Sequence, residues 1–368
     1  MTFETIDVGL ASSHSVDVMV AAAKAAEAAG YGTVWLAELY YARGLIATAT
    51  AVALATKRIK IGYGIISPFA RHPGVIATET ATLDEISKGR MICGMGIAQI
   101  AVDRQGFIGP RPAVSLKEAL EMLRVLFAGK NLVYDGQFYK FTPPGSPIFF
   151  KPYRPNIPIH LGVMGEKSLQ MAGRLADGVL LGMFSTPGMA RWAKSQIEIG
   201  LKQSGRRWED FAYRSYVTFS VDKNARKAKD LVRPLLAAYL SEGVSTSATN
   251  ADSPRWKYSG VTADELLAVK AEVGKYWRKD RAKAGQAIPI SFIDKMIVAG
   301  EPDECRERIA RYGEAGIKIP VPYHVWGEDP AAAIKLAARE VFAEWLPRAK
   351  KPRRAKKKAA PRRARRRR

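Results

Sequence analysis

The chain has 368 residues, 47% of them hydrophobic, which is enough to bury one large α/β barrel core or two ordinary domain cores. No uncharged apolar run reaches the roughly 18 residues a membrane helix needs, and the acidic start (Glu4, Asp7) is unlike a secretory signal. The net charge of +23 is mostly the C-terminus, because 14 Lys or Arg residues and no acid lie between Arg348 and Arg368, leaving +9 on the rest. Two distant cysteines, Cys93 and Cys305, suit a reducing cytoplasm and argue against a disulfide framework or a zinc site.

Short β-branched runs alternate with longer helical runs. Residues 5–10 read as a strand and 17–29 as a helix, with Asp17 as its N-cap and Gly30 as its stop signal. Residues 33–37 (strand), 45–56 (helix) and 59–64 (strand) follow. Pro73 opens a helix that Gly89 closes, then 91–95 is strand and 116–127 helix. Residues 131–151, rich in aromatic residues, Pro and Gly, read as a hairpin-like insertion covering one mouth of the fold. The alternation resumes with 158–163 (strand), 166–176 (helix), 178–183 (strand), 188–203 (helix), 213–221 (strand) and 224–240 (helix). A polar stretch, 241–260, and helical segments to about residue 283 precede helix 302–312, strand 319–325 and helix 330–345.

Eight strands, nearly all followed by helices, imply parallel strands joined by right-handed crossovers. A doubly wound open sheet fits the alternation too. The count and the length favour a single (β/α)8 TIM barrel over residues 1–346, with insertions and a disordered polybasic tail over 347–368. Runs such as Lys356-Lys357-Lys358 in that tail would hold nucleic acid, polyphosphate or an acidic membrane surface through counterion release. No aromatic residue interleaves them, so base stacking is not expected, and a solubilising extension is the alternative.

In such a barrel, function sits in the loops after the strands. The third is followed by Tyr63, Gly64, Ile65, Ile66, Ser67 and Pro68, where glycine permits either a tight turn or close approach to a flat ligand. After the fourth, Gly94-Met95-Gly96-Ile97-Ala98-Gln99 leaves room beside a ring system, but lacks the third glycine and the helix of a dinucleotide fingerprint. After the fifth, Met164, Gly165, Glu166, Lys167 and Ser168 lead into a helix whose free N–H groups suit a phosphate, unless this is an ordinary helix start. Gly182 ends the sixth. Of the four histidines, His14 and His324 follow the first and last strands, and no pair has helical metal-site spacing. Glu38, after the second strand, is the clearest strand-end carboxylate, or else a salt-bridge partner of Arg43.

The stretches 55–62, 67–68 and 71–73, then 81–90 leading into Gly94-Met95-Gly96, resemble the luciferase-like monooxygenase superfamily, as do 171–180 and 300–305. Within it, the chain is most similar to the methylene-tetrahydromethanopterin reductase-like branch, which uses the deazaflavin coenzyme F(420). The resemblance implies a (β/α)8 barrel with the ring across the strand ends, backed by a non-prolyl cis peptide matching Gly64–Ile65. Phosphate-side contacts would fall on residues 165–168, with Gly96, Gln99, Met164 and Gly182 also lining the cofactor. It further implies a homo-oligomer. Three positions depart from the branch: Glu38-Leu39 replaces an Asp-His, Gly9 stands where a carboxylate is expected, and Gln99 replaces an acid. The methanopterin substrate is therefore not carried over. The leading expectation is hydride transfer between reduced coenzyme F(420) and a small organic substrate, with Glu38, His14 and Tyr40 as proton-delivery candidates. FMN with oxygen, as in a monooxygenase, is the alternative.

Overall fold

The computed structural model describes residues 3–39, 42–97, 112–241, 250–324, 327 and 329–347. Tyr40, Gln99 and the basic tail lie outside the described residues. In chain order the strands are β1 (Val8–Leu10), β2 (Thr33–Leu36), β3 (Lys60–Tyr63), β4 (Met91–Gly96), β5 (Leu132–Asp135), β6 (Lys140–Ser146), β7 (Ile159–Gly162), β8 (Gly178–Leu181), β9 (Ala212–Val221), β10 (Val298–Gly300) and β11 (Ile319–His324). Eight of them pair in parallel in the order β9-β11-β1-β2-β3-β4-β7-β8, and β8 closes the ring onto β9 with Leu181 opposite Ser215. This is the expected (β/α)8 barrel. The strand β10 was not foreseen: it follows α11 directly, and it adds to β9 rather than interrupting the ring.

The helices are α1 (Val16–Ala29), α2 (Leu45–Ala55), α3 (Pro73–Ser87), α4 (Pro112–Phe127), α5 (Glu166–Leu175), α6 (Pro187–Gln203), α7 (Ala225–Ser241), α8 (Pro254–Lys257), α9 (Ala263–Trp277), α10 (Arg281–Gln286), α11 (Ile290–Met296), α12 (Pro302–Glu314) and α13 (Pro330–Glu340). Ser15, not Asp17, caps α1: its hydroxyl accepts from the Val18 N–H at 3.4 Å, while Asp17 sits in the first turn, where the helix dipole favours it. Gly30 ends the helix as expected, in the left-handed region at φ 93°, its N–H reaching the Ala26 and Glu27 carbonyls. No helix among the described residues is long and apolar enough to cross a membrane.

Alternation along the strands sorts the core into two layers. Val34, Leu36, Ile61, Tyr63, Cys93, Leu161 and Val179 face the helices. The barrel interior holds Trp35, Ile92, Leu180, Tyr216, Val321 and Tyr323. Three aromatic rings in so narrow a space require small residues opposite them. A Cβ on Gly62 would come within 2.5 Å of Trp35, and one on Gly9 within 2.3 Å of Tyr323. Below the aromatics lies a polar layer in which Asp7 Oδ2 accepts from Trp35 Nε1 at 2.9 Å and Arg214 Nε at 2.8 Å. His160 stacks on Trp35 beside it and meets Arg214 at 3.2 Å. Burial, then the Arg214 charge, hold the His160 pKa well below its usual value, so this histidine is neutral.

The predicted insertion is an antiparallel hairpin of β5 and β6. It does not cover the mouth. Glu118 of α4 accepts the N–H groups of Gln137, Phe138 and Tyr139 at 2.7, 3.0 and 3.1 Å, pinning the hairpin along the outside of the helical layer. Burial opposes the Glu118 charge, but the three donors outweigh it and hold its pKa below the usual carboxylate value. At the rim, Tyr139 Oη donates to the Pro68 carbonyl at 3.1 Å, its ring meets His72 edge-on, and Phe141 of β6 packs on the same histidine. The hairpin buttresses the loop after β3 from outside.

Candidate active site at the strand ends

The loop after β3 forms the floor of the mouth. The Gly64–Ile65 peptide is cis. Ile66 then rejoins the sheet, its N–H donating to the Gly94 carbonyl at 2.9 Å and its own carbonyl accepting from the Gly96 N–H at 3.1 Å. From below, Tyr216 Oη donates to the Gly64 carbonyl at 3.0 Å, while the Tyr216 ring stacks on Tyr323 with centroids 4.2 Å apart. The Ile65 side chain lies over Gly96 and Gly162, where added Cβ atoms would come within 2.7 and 2.8 Å of it. The floor is thus backbone with the apolar Ile65 side chain laid over two glycines, a surface suited to a flat ligand. The Tyr63 ring turns the other way, buried among the helix-facing side chains, so of the predicted Tyr63 contact only the backbone is at hand. The Ser67 hydroxyl is also spent within the loop, donating to the Ile97 carbonyl at 3.1 Å and accepting from the Phe69 N–H at 3.3 Å.

Glu38 reinforces the same loop. Its carboxylate, with the side chain 8% exposed, takes Arg71 Nη1 at 2.8 Å and the Ser67 N–H. Arg71 in turn lies 3.3 Å from Glu79 of α3. Burial pushes the Glu38 pKa up, Arg71 and the Ser67 N–H pull it down, and the net direction is up. The salt bridge with Arg43 is not formed, because Arg43 donates to the Ser13 carbonyl instead. His14 stands in the loop after β1, partly exposed, with its backbone N–H on the Ala11 carbonyl. No hydrogen bond joins His14 to Glu38. His324 is the last residue of β11 rather than the first of the loop after it.

The predicted phosphate loop does open a helix. Gly165 caps α5 without any side-chain hydrogen bond, Gly165, Glu166 and Lys167 are exposed, and Ser168 is half-buried. Space around the Gly165 Cβ position is open. The N–H groups of the first turn thus face an accessible region with the positive end of the helix dipole behind them. Met164 leans toward Gly182, whose Cβ position lies 2.8 Å from its sulfur. The same Cβ position lies 3.6 Å from a guanidinium nitrogen of Arg255, from α8.

Sequence reasoning missed Arg71, Tyr216, Tyr323 and Arg255. Tyr216 and Tyr323 were legible from strand parity, since each is an inward position of a predicted strand. Arg255 lay in a stretch set aside as polar connection.

The floor, the rim and the helix start lie together at one end of a closed barrel, and comparison with known proteins identifies its family. The profile described as luciferase-like monooxygenase matches residues 1–318. The chain belongs to that family. It is similar to the 5,10-methylenetetrahydromethanopterin reductase of Archaeoglobus fulgidus, 31% identical over 321 residues, covering 87% of this chain and 93% of that protein. Among solved structures, the coenzyme F420-dependent tetrahydromethanopterin reductase of Methanopyrus kandleri superposes with a TM-score of 0.82 at 26% identity, covering 94% of this chain and all of that one. A monooxygenase from Streptomyces bottropensis superposes at 0.66 with 18% identity over 93% of this chain and all of that one, a likeness of fold alone.

Proposed function

We propose that the protein is a coenzyme F(420)-dependent oxidoreductase acting on a small organic substrate held at the C-terminal mouth of the barrel. The observation that carries this reading is the floor: the Gly64–Ile66 backbone is braced from below by Tyr216, Ile65 packs over Gly96 and Gly162, and the open start of α5 lies at the same barrel end. The similarity to reductases named for the same coenzyme supports it.

The residues present fit such a group. Residues 64–66, Gly96 and Gly162 would back its ring, and the N–H groups of residues 165–168 with Lys167 would hold its phosphodiester. When bound, a deazaflavin supplies hydride transfer without useful reactivity toward oxygen. The chain's own residues do the rest. Tyr216 fixes the Gly64 carbonyl, and Glu38 fixes the loop through Arg71 and Ser67. With Glu38 Oε1 held by Arg71 and the side chain largely buried, we assign proton delivery among the described candidates to His14, which is partly exposed. The substrate is not a copy of the reductases' own, since the inward position at Gly9 is filled by Tyr323 and Tyr216 and leaves no room for a carboxylate.

The test is turnover. Reduced coenzyme F(420) is mixed anaerobically with the protein and a panel of aldehydes, ketones and enones, and its reoxidation is followed by absorbance. We expect oxidation with at least one of them, and a kcat lowered about 10²- to 10⁴-fold in His14→Asn, the usual span for losing a general acid. Turnover only with reduced FMN and oxygen would place the protein among the monooxygenases instead.

A further inference from the structure

Among the described residues, the arginines most embedded in the fold are well compensated, with Arg255 standing apart. Arg214 rests on Asp7, Arg154 on Asp84, and Arg308 on Asp294 and Glu304. Arg90 lacks a carboxylate but donates to the Ala53, Thr56, Ile59 and Ser87 carbonyls. Arg255 has neither arrangement among the described residues. One of its terminal nitrogens meets the Tyr239 hydroxyl, the other meets the Met164 sulfur at 3.0 Å, and its Nε is buried with no partner. The guanidinium also lies over the Tyr239 ring, 5.1 Å from its centroid. A thioether and an aromatic face are weak company for five strong donors. Burial lowers the Arg255 pKa to about 10, still far enough above neutrality to keep the charge.

A half-buried cation whose Nε is sealed from solvent without a partner is better satisfied when something anionic arrives to meet it. The position of Arg255 says where. It stands beside Gly182 at the end of β8 and touches Met164, the residue before the open N-terminus of α5. Its own helix, α8, is tied to the start of α6 by the Thr186 hydroxyl on the Tyr258 carbonyl at 3.1 Å, which fixes it at the same rim. The Trp256 side chain, buried between Tyr239 and Phe292, anchors α8 from the other side. A planar fork held in place from two sides is suited to a phosphate or carboxylate.

We propose that Arg255 is an anion-recognition residue of the barrel mouth, donating to phosphate or carboxylate oxygens of a bound ligand. Two sources carry that chemistry: the phosphodiester of the deazaflavin side chain, and an anionic group on the substrate. The first rests on the proposed cofactor; the second does not.

Inorganic phosphate is the first probe, titrated into the cofactor-free full-length protein at constant ionic strength and followed by thermal shift. The wild type is expected to respond saturably, Arg255→Gln to lose the response at least about tenfold in apparent affinity, and Arg255→Lys to keep part of it, as a point charge replaces a fork. Without phosphate, Arg255→Gln should melt no lower than the wild type, because it removes a charge with no anionic partner and a sealed, unpartnered Nε; loss of a purely structural arginine would lower the melting point. The second probe compares intact coenzyme F(420) with the phosphate-free deazaflavin riboside. Weakening by Arg255→Gln of the intact coenzyme alone assigns the residue to the cofactor's anionic side chain. Equal affinity for both forms, with the phosphate response still lost in coenzyme-loaded protein, assigns it to the substrate. Phosphate and coenzyme binding that are the same in Arg255→Gln as in the wild type, or that phosphate never shows while the coenzyme is unaffected, overturn the proposal whether or not the deazaflavin reading stands.

Discussion

Replacing Asp7 by alanine is expected to lower folding stability by about 3–5 kcal/mol, the range for removing one partner of a buried ion pair. Asp7 is fully buried, and its Oδ2 is shared between Trp35 Nε1 and Arg214 Nε. Without it, the Arg214 cation stays among strand residues with only a neutral histidine beside it, and the Trp35 N–H loses its acceptor. The stability follows from sequence through topology: Asp7 lies just before β1, Trp35 on β2, Arg214 on β9, so one carboxylate links three parts of the ring. Urea unfolding of Asp7→Ala against wild type measures it, with the slope checked for unchanged cooperativity. A loss below about 1 kcal/mol, the level of exposed pairs, would mean that water reaches this layer and shares the charge.

The second large effect is on the site rather than on the fold. In Gly64→Ala the new Cβ would stand 1.9 Å from Tyr216 Oη and 3.3 Å from Trp35 Cβ. Tyr216 cannot swing aside cheaply, because its ring is stacked on Tyr323 and is 5% exposed. The loop must move instead, and with it Ile65 and Ile66. Overpacking of this kind costs about 1–3 kcal/mol, which would appear as roughly 5- to 150-fold weaker coenzyme binding if it falls on the floor. Fluorescence titration with coenzyme F(420) reads the affinity, and circular dichroism shows whether the barrel persists. The double variant Gly64→Ala/Tyr216→Phe should recover part of the loss, since it removes the atom in collision. A Gly64→Ala protein that binds the coenzyme as the wild type does would remove the loop after β3 from the site.

Much of this architecture is legible in the sequence, and the limits have physical causes. Alternation of β-branched and helical runs reveals eight parallel strands, whereas the short β10 lies directly between α11 and α12 in a stretch that continues the helical segments. Gly30 and Pro73 mark helix boundaries through backbone chemistry that acts locally. The loops after β3, β4 and β7 are recognisable for the same reason, and the structure brings the first two together through Ile66. Partners across the fold are another matter. Whether Glu38 meets Arg43, five residues on, or Arg71, thirty-three residues on, depends on how two loops pack, and the nearer choice was the wrong one. The hairpin's composition announces a β-turn-β insertion, yet its placement is decided by Glu118 on a preceding helix. Arg255 is invisible beforehand, since an arginine declares itself by what it lacks only when its neighbours are known.

The most direct test of the account is calorimetric titration of the cofactor-stripped, full-length protein with coenzyme F(420) and, separately, with FMN. Saturable binding of the deazaflavin at one site per chain, with FMN at least about tenfold weaker, is the predicted result. Tight binding of FMN with none of the deazaflavin would contradict it and make oxygen, not hydride acceptors, the reagent to pursue.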